Sequence, residues 1–125
     1  MKKSFSYSIL LLLSLVMFGC GGTTIDMESD EYQDIEFSEG FVTYKGNPFN
    51  GALVEYYENG QLQEKSKFKD GKQHGVFESY YKSGQLEVKA YFKNGKVDGV
   101  SKEYYENGKL EEEKKWKDGK EIPMD

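Results

Sequence analysis

Residues 51–62 read GALVEYYENGQL, residues 75–86 read GVFESYYKSGQL and residues 99–110 read GVSKEYYENGKL. The step between copies is 24 residues both times, with no insertion. A fixed period of this length marks a supersecondary unit that cannot bury a face alone and therefore stacks on its neighbours. Each copy carries two turn signals. Glu58-Asn59-Gly60, Lys82-Ser83-Gly84 and Glu106-Asn107-Gly108 recur at one point; Lys69-Asp70-Gly71, Lys93-Asn94-Gly95 and Lys117-Asp118-Gly119 recur at the other. Asn-Gly and Asp-Gly supply the positive φ that tight hairpins need. Between the signals lie runs of about six to nine residues rich in Tyr, Phe and Val, the strand formers. The expected fold is all-β, an antiparallel meander of β-hairpin repeats.

A partial copy precedes the full ones, because residues 44–51 align with 68–75 one period on. The repeat domain is thus expected over 41–120, with about seven strands and a C-terminal tail at 121–125. With two-residue Asn-Gly turns, Tyr81 would face Leu86. One face of the middle copy would then show Phe77, Ser79, Tyr81, Leu86, Val88, Ala90 and Phe92. The other would show Val76, Glu78, Tyr80, Glu87, Lys89 and Tyr91. The outer copies place Glu55, Glu64, Glu103, Glu112 and Lys114 on the apolar face, as end caps of an array should. The charged final strand, residues 110–117, is expected to be an edge that resists strand addition.

The chain starts with an address. Lys2 and Lys3 precede an apolar run from Ile9 to Phe18, broken only by Ser14, and Gly19-Cys20 follows. About ten apolar residues are too few to span a bilayer but fit the apolar region of a secretory signal. With the cysteine closing the run, residues 1–19 resemble a bacterial lipoprotein signal peptide. That resemblance implies cleavage before Cys20 and acylation of its thiol. Cys20 is the only cysteine, so no internal disulfide competes for it. Acyl chains stabilise the anchored state by about 0.8 kcal/mol per buried methylene. Gly21 after the cysteine resembles the outer-membrane rather than the inner-membrane pattern. Residues 20–40 carry seven acids and no lysine, and are expected to form an acidic flexible tether.

From Phe41 onward the chain has 15 lysines, 15 acids and no arginine. A neutral domain without arginine argues against nucleic-acid binding, which relies on basic stripes and bidentate arginine contacts. His74 is the only histidine and occupies a slot filled by Asn50 and Asp98 in neighbouring copies, which reads as an exposed turn residue. One histidine and one cysteine assemble neither a histidine or thiolate metal site nor a nucleophile motif. No enzyme, metal or cofactor is expected.

The pattern Gly-x4-Tyr-Tyr-x-Asn-Gly-x-Leu, followed by an aromatic residue and Lys-Asp-Gly-Lys-x2-Gly, resembles the bacterial variant of the MORN repeat over residues 41–120. It is similar to the family labelled YwqK-type antitoxins. The resemblance implies a hairpin array, and as an alternative role an antitoxin or immunity protein that neutralises a toxin. The residues themselves point to an interaction surface. Tyr56, Tyr80 and Tyr104 are expected to line one face, and Tyr57, Tyr81 and Tyr105 the other, with Trp116 at the terminal end of an aromatic strip. Such rings suit a protein or glycan partner. Tyr81, Tyr105 and Trp116 are the leading contact candidates on a lipid-anchored envelope protein.

Overall fold

The computed structural model describes residues 22–125; the expected signal (1–19) and Cys20 lie outside them. The chain runs β1 (Thr23–Asp26), a 3-10 turn (Asp30–Asp34), β2 (Ile35–Ser38), β3 (Phe41–Tyr44), β4 (Asn47–Pro48), β5 (Gly51–Tyr56), β6 (Leu62–Lys69), β7 (Lys72–Tyr80) and β8 (Leu86–Lys93). It continues with β9 (Lys96–Val97), β10 (Gly99–Tyr104), β11 (Leu110–Lys117) and β12 (Lys120–Ile122). The main sheet has the order β1-β5-β6-β7-β8-β10-β11-β12, with β9 also pairing β8, and β2-β3-β4 form a second sheet. From β5 to β12 the chain pairs antiparallel in sequence order, β10 joining β8 past the two-residue β9, so the expected meander of repeats is what forms.

The two turn signals become two different turns. At Lys69-Asp70-Gly71-Lys72 the flanking lysines pair directly, and Asp70 and Gly71 have φ of 50° and 79°. These are two-residue turns with both central residues left-handed, as the Asp-Gly and Asn-Gly pairs favour. At Tyr57–Gln61 the loop holds three residues. The Gly60 N–H donates to the Tyr57 carbonyl, the Tyr57 N–H donates to the Gln61 carbonyl, and only Gly60 is left-handed. The Asn59 side chain accepts from the Gln61 N–H at 2.9 Å and holds the bend. The expectation of a two-residue Asn-Gly turn is therefore corrected. The longer loop inserts a bulge, and Leu86 pairs with Tyr80 rather than Tyr81.

Beyond that bulge the expected faces hold. Phe77 pairs with Ala90 and Ser79 with Val88 on one face, while Val76 pairs with Tyr91 and Glu78 with Lys89 on the other. Each repeat also sets an aromatic ring opposite a glycine: Gly51 opposite Phe68, Gly75 opposite Phe92, Gly99 opposite Trp116. Gly75 and Gly99 have φ of 102° and 104°, a left-handed backbone that favours glycine, which is a reason for glycine to recur there.

The segment expected as a flexible tether is built into the fold from Thr23. β1 adds in parallel to β5. Ile25 is fully buried, and Ile35, Val42, Phe49 and Leu53 complete the largest apolar cluster. Ile25 and Leu53 belong to the main sheet and Ile35 and Val42 to the small one, so β2–β4 form a second layer over the first repeat. A β-carbon at Gly51 would collide with the Thr23 carbonyl, which is how closely β1 lies. The acidic average of residues 20–40 masked three well-placed apolar side chains, Ile25, Tyr32 and Ile35. Two further expectations change. The N-terminal end is a packed core rather than a polar cap, and Glu121 and Ile122 of the expected tail join Lys120 in β12, which pairs with β11, so only part of β11 is an edge.

Ile25→Ala is expected to cost about 2–5 kcal/mol, as buried large-to-small changes do. Urea unfolding followed by circular dichroism should show this loss, and an unchanged midpoint would mean that β1 is not part of the cooperative unit.

Candidate functional site

The repeats are stitched at both ends of their strands. At the two-residue turns, the N–H of Gly71, Gly95 and Gly119 donates to the carbonyl of Phe49, Gln73 and Val97, respectively, at 2.8–2.9 Å. Beside each bond, the side chains of Asn50, His74 and Asp98 accept from the N–H of Asp70, Asn94 and Asp118 at 2.9, 3.4 and 3.1 Å. His74 is thus a half-buried turn anchor, accepting through Nδ1. The slot takes Asn, His or Asp because each presents one acceptor at the same reach.

At the opposite ends, the Tyr57 hydroxyl donates to the Tyr80 carbonyl at 2.7 Å and the Tyr81 hydroxyl to the Tyr104 carbonyl at 2.8 Å. The second tyrosine of each pair is therefore a tie to the next repeat. Among the described residues no partner takes the Tyr105 hydroxyl, and the ring is 49% exposed. Glu87, Glu111, Glu106 and Glu103 surround Tyr81, and burial followed by these charges raises its pKa. The Tyr80 hydroxyl donates to the Glu78 carboxylate, which with burial pushes its pKa up to about 12.

The candidate tyrosines and Trp116 do not form one patch. Tyr56, Tyr80 and Tyr104 continue the alternation of Val54, Glu78 and Lys102, whereas Trp116 shares the face of Phe92 and donates through Nε1 to the Ser101 hydroxyl at 2.8 Å. Tyr105 and Trp116 also stand at opposite ends of β11, about 20 Å apart along a strand. The expected aromatic strip divides into a tyrosine ladder at one end and a phenylalanine row closed by Trp116 at the other.

Register sorts the charges by face. The face of Phe77 and Phe92 carries Glu55, Glu64, Glu103, Glu112 and Glu121 against Lys114 alone. The other face carries Lys65, Lys67, Lys89, Lys102 and Lys115 against Asp26, Glu78 and Glu113. Glu64 stands directly opposite Glu55, and burial, then the Glu55 charge, holds its pKa up while the Ser66 hydroxyl opposes the shift. On the lysine face, Lys102 pairs with Glu113 at 3.2 Å beside an open groove of about 420 Å³ lined by Lys89, Tyr91, Val100 and Tyr104. Among the described residues no cluster of His, Cys, Asp or Glu is arranged to hold a metal ion, and no helix is long and apolar enough to cross a membrane. The segregation of charge was readable only in part from sequence, because it depends on which loop sets the register.

A strand meander of stitched hairpins with two chemically distinct faces, one of them covered over the first repeat, defines a repeat scaffold. The chain belongs to the MORN repeat variant family, which matches residues 49–70, 73–94 and 97–118, more than half of its length. Repeats of this family are generally protein- or membrane-binding modules. No curated protein and no solved structure gives a significant match.

Two substitutions test the stitching. Tyr57→Phe is expected to cost about 1 kcal/mol, the net value of one hydrogen bond, while Tyr105→Phe leaves stability within error. Urea midpoints compare the two, and equal effects would refute the tie. At the other end, the Asp118 N–H, with Lys117 3.7 Å away, lowers the Asp98 pKa. Its contribution is complete above the unfolded aspartate value of about 3.9 and is lost as pH falls through the lowered folded pKa. Asp98→Asn, which mimics Asn50, should keep the neutral-pH melting temperature close to the parent and lose sensitivity in that acid window. Asp98→Ala should lower it at neutral pH.

Proposed function

We propose that this chain is a non-enzymatic, lipid-anchored cell-envelope protein that holds a MORN-repeat sheet out as a protein- or glycan-binding surface. The observation that supports this most directly is the single-layered middle and last repeats. Phe77, Val88, Phe92 and Trp116 remain only partly covered, although the chain covers the same face over its first repeat. Family membership supports a binding role, and the residues before Cys20 support export and acylation, with the outer membrane as the favoured destination. The β1 attachment leaves few residues between Cys20 and the sheet, so the acyl group would hold the domain close to the bilayer. The antitoxin or immunity role is a narrower form of the same proposal, in which the bound protein is a toxin; deletion of this chain alone would then arrest growth.

Cys20→Ser should abolish acyl labelling and release the protein from the membrane fraction; retention with label would contradict the anchor. In intact cells, photo-crosslinking residues at Val88 and Lys89 sample the two faces, and a partner captured reproducibly from either is expected. Capture from neither face, with the protein folded and exported, would refute the display reading.

A further inference from the structure

We propose that the uncovered part of the aromatic face is a docking trough for a basic amphipathic polypeptide helix, a reading that rests on the display function above. The floor is built by Phe77 on β7 and Val88, Ala90 and Phe92 on β8, the two phenylalanine rings meeting edge to face at 6.2 Å. Its banks are carboxylate pairs. Glu55 stands directly opposite Glu64 on one side, and Glu103 directly opposite Glu112 on the other. Like charges directly opposite in a sheet are unfavourable, so each pair gains from a cation brought between its members. Lys114 supplies one such contact to Glu112 at 2.9 Å; Glu55, Glu64 and Glu103 have no lysine within ion-pair distance among the described residues.

The dimensions fit the occupant. From β6 to β10 is three strand spacings, about 14 Å, and a helix with side chains is about 10–12 Å across. The chain's own second layer covers the neighbouring repeat through Phe49 on Phe68, centroids 5.7 Å apart, and forms a wall along one side. A second copy laid face to face would set carboxylate against carboxylate. An acidic or neutral helix would fill the floor and leave the banks in repulsion. A helix with one apolar side flanked by lysines or arginines satisfies floor and banks together.

Trp116 is the only tryptophan and lies on this face on β11, the strand that carries Glu112 of one bank, so its emission senses a helix seated against that bank. The full chain is titrated with a tryptophan-free 18-residue helix of leucine and lysine, and with its leucine and glutamate counterpart. The lysine peptide is expected to shift Trp116 emission saturably and to weaken as salt is raised; the glutamate peptide is expected not to bind. Glu64→Gln and Glu103→Gln should each weaken binding about two- to fivefold, whereas Lys89→Gln on the opposite face should leave it unchanged. Equal binding of both peptides, binding of neither, or sensitivity to Lys89→Gln but not to the glutamates would overturn the trough. If that occurs while crosslinking from Lys89 still captures a partner, the display function stands without it; silence in both removes both.

Discussion

The structure depends on hydrogen bonds that join each repeat to the next at both ends of its strands. A backbone N–H and a side-chain acceptor clamp the turns at Asp70-Gly71, Asn94-Gly95 and Asp118-Gly119 to the residue pairs Phe49-Asn50, Gln73-His74 and Val97-Asp98. The Tyr57 and Tyr81 hydroxyls tie the first two three-residue loops to the corresponding strand ends of the next repeat. These bonds span 20 to 23 residues, one repeat, and they explain why the period has no slack. An extra residue in either half would carry one stitch out of reach. They also replace part of what a second layer would provide, since a sheet one layer thick buries little apolar surface and shears easily.

Among the described residues the second layer lies only at one end. Ile25, Ile35, Val42, Phe49 and Leu53 make a compact cluster, and the ordered stack of hairpins grows from it. In a repeat array stability is the sum of intrinsic terms and neighbour interfaces, so a well-packed terminal unit passes order along the ladder. The far repeats retain an open face without losing register. That division suits a binding module, because the apolar surface left uncovered is held flat and in place by the stitches rather than by a core of its own.

Sequence legibility was uneven, and particular residues show why. Asp70-Gly71 and Asn59-Gly60 both read as tight turns, yet the first is a two-residue turn and the second a three-residue loop. The dipeptide sets where φ turns positive, not how many residues the loop holds; strand pairing on either side decides that. His74 looked like a tolerant position because three side chains share one acceptor role. The ordered segment from Thr23 to Ser38 escapes a reading by composition, because burial is a property of individual side chains whereas acidity is an average.

By itself the sequence determined the repeat length, the strand content and the places where the chain reverses, because all of these follow from local periodicity and turn chemistry. Tertiary structure decided the loop size, the partners of the tyrosines, the sorting of carboxylates and lysines to opposite faces, and the folding of the N-terminal segment over Leu53. Each of these depends on contacts between residues a repeat or more apart, and a one-residue difference in register reverses the outcome.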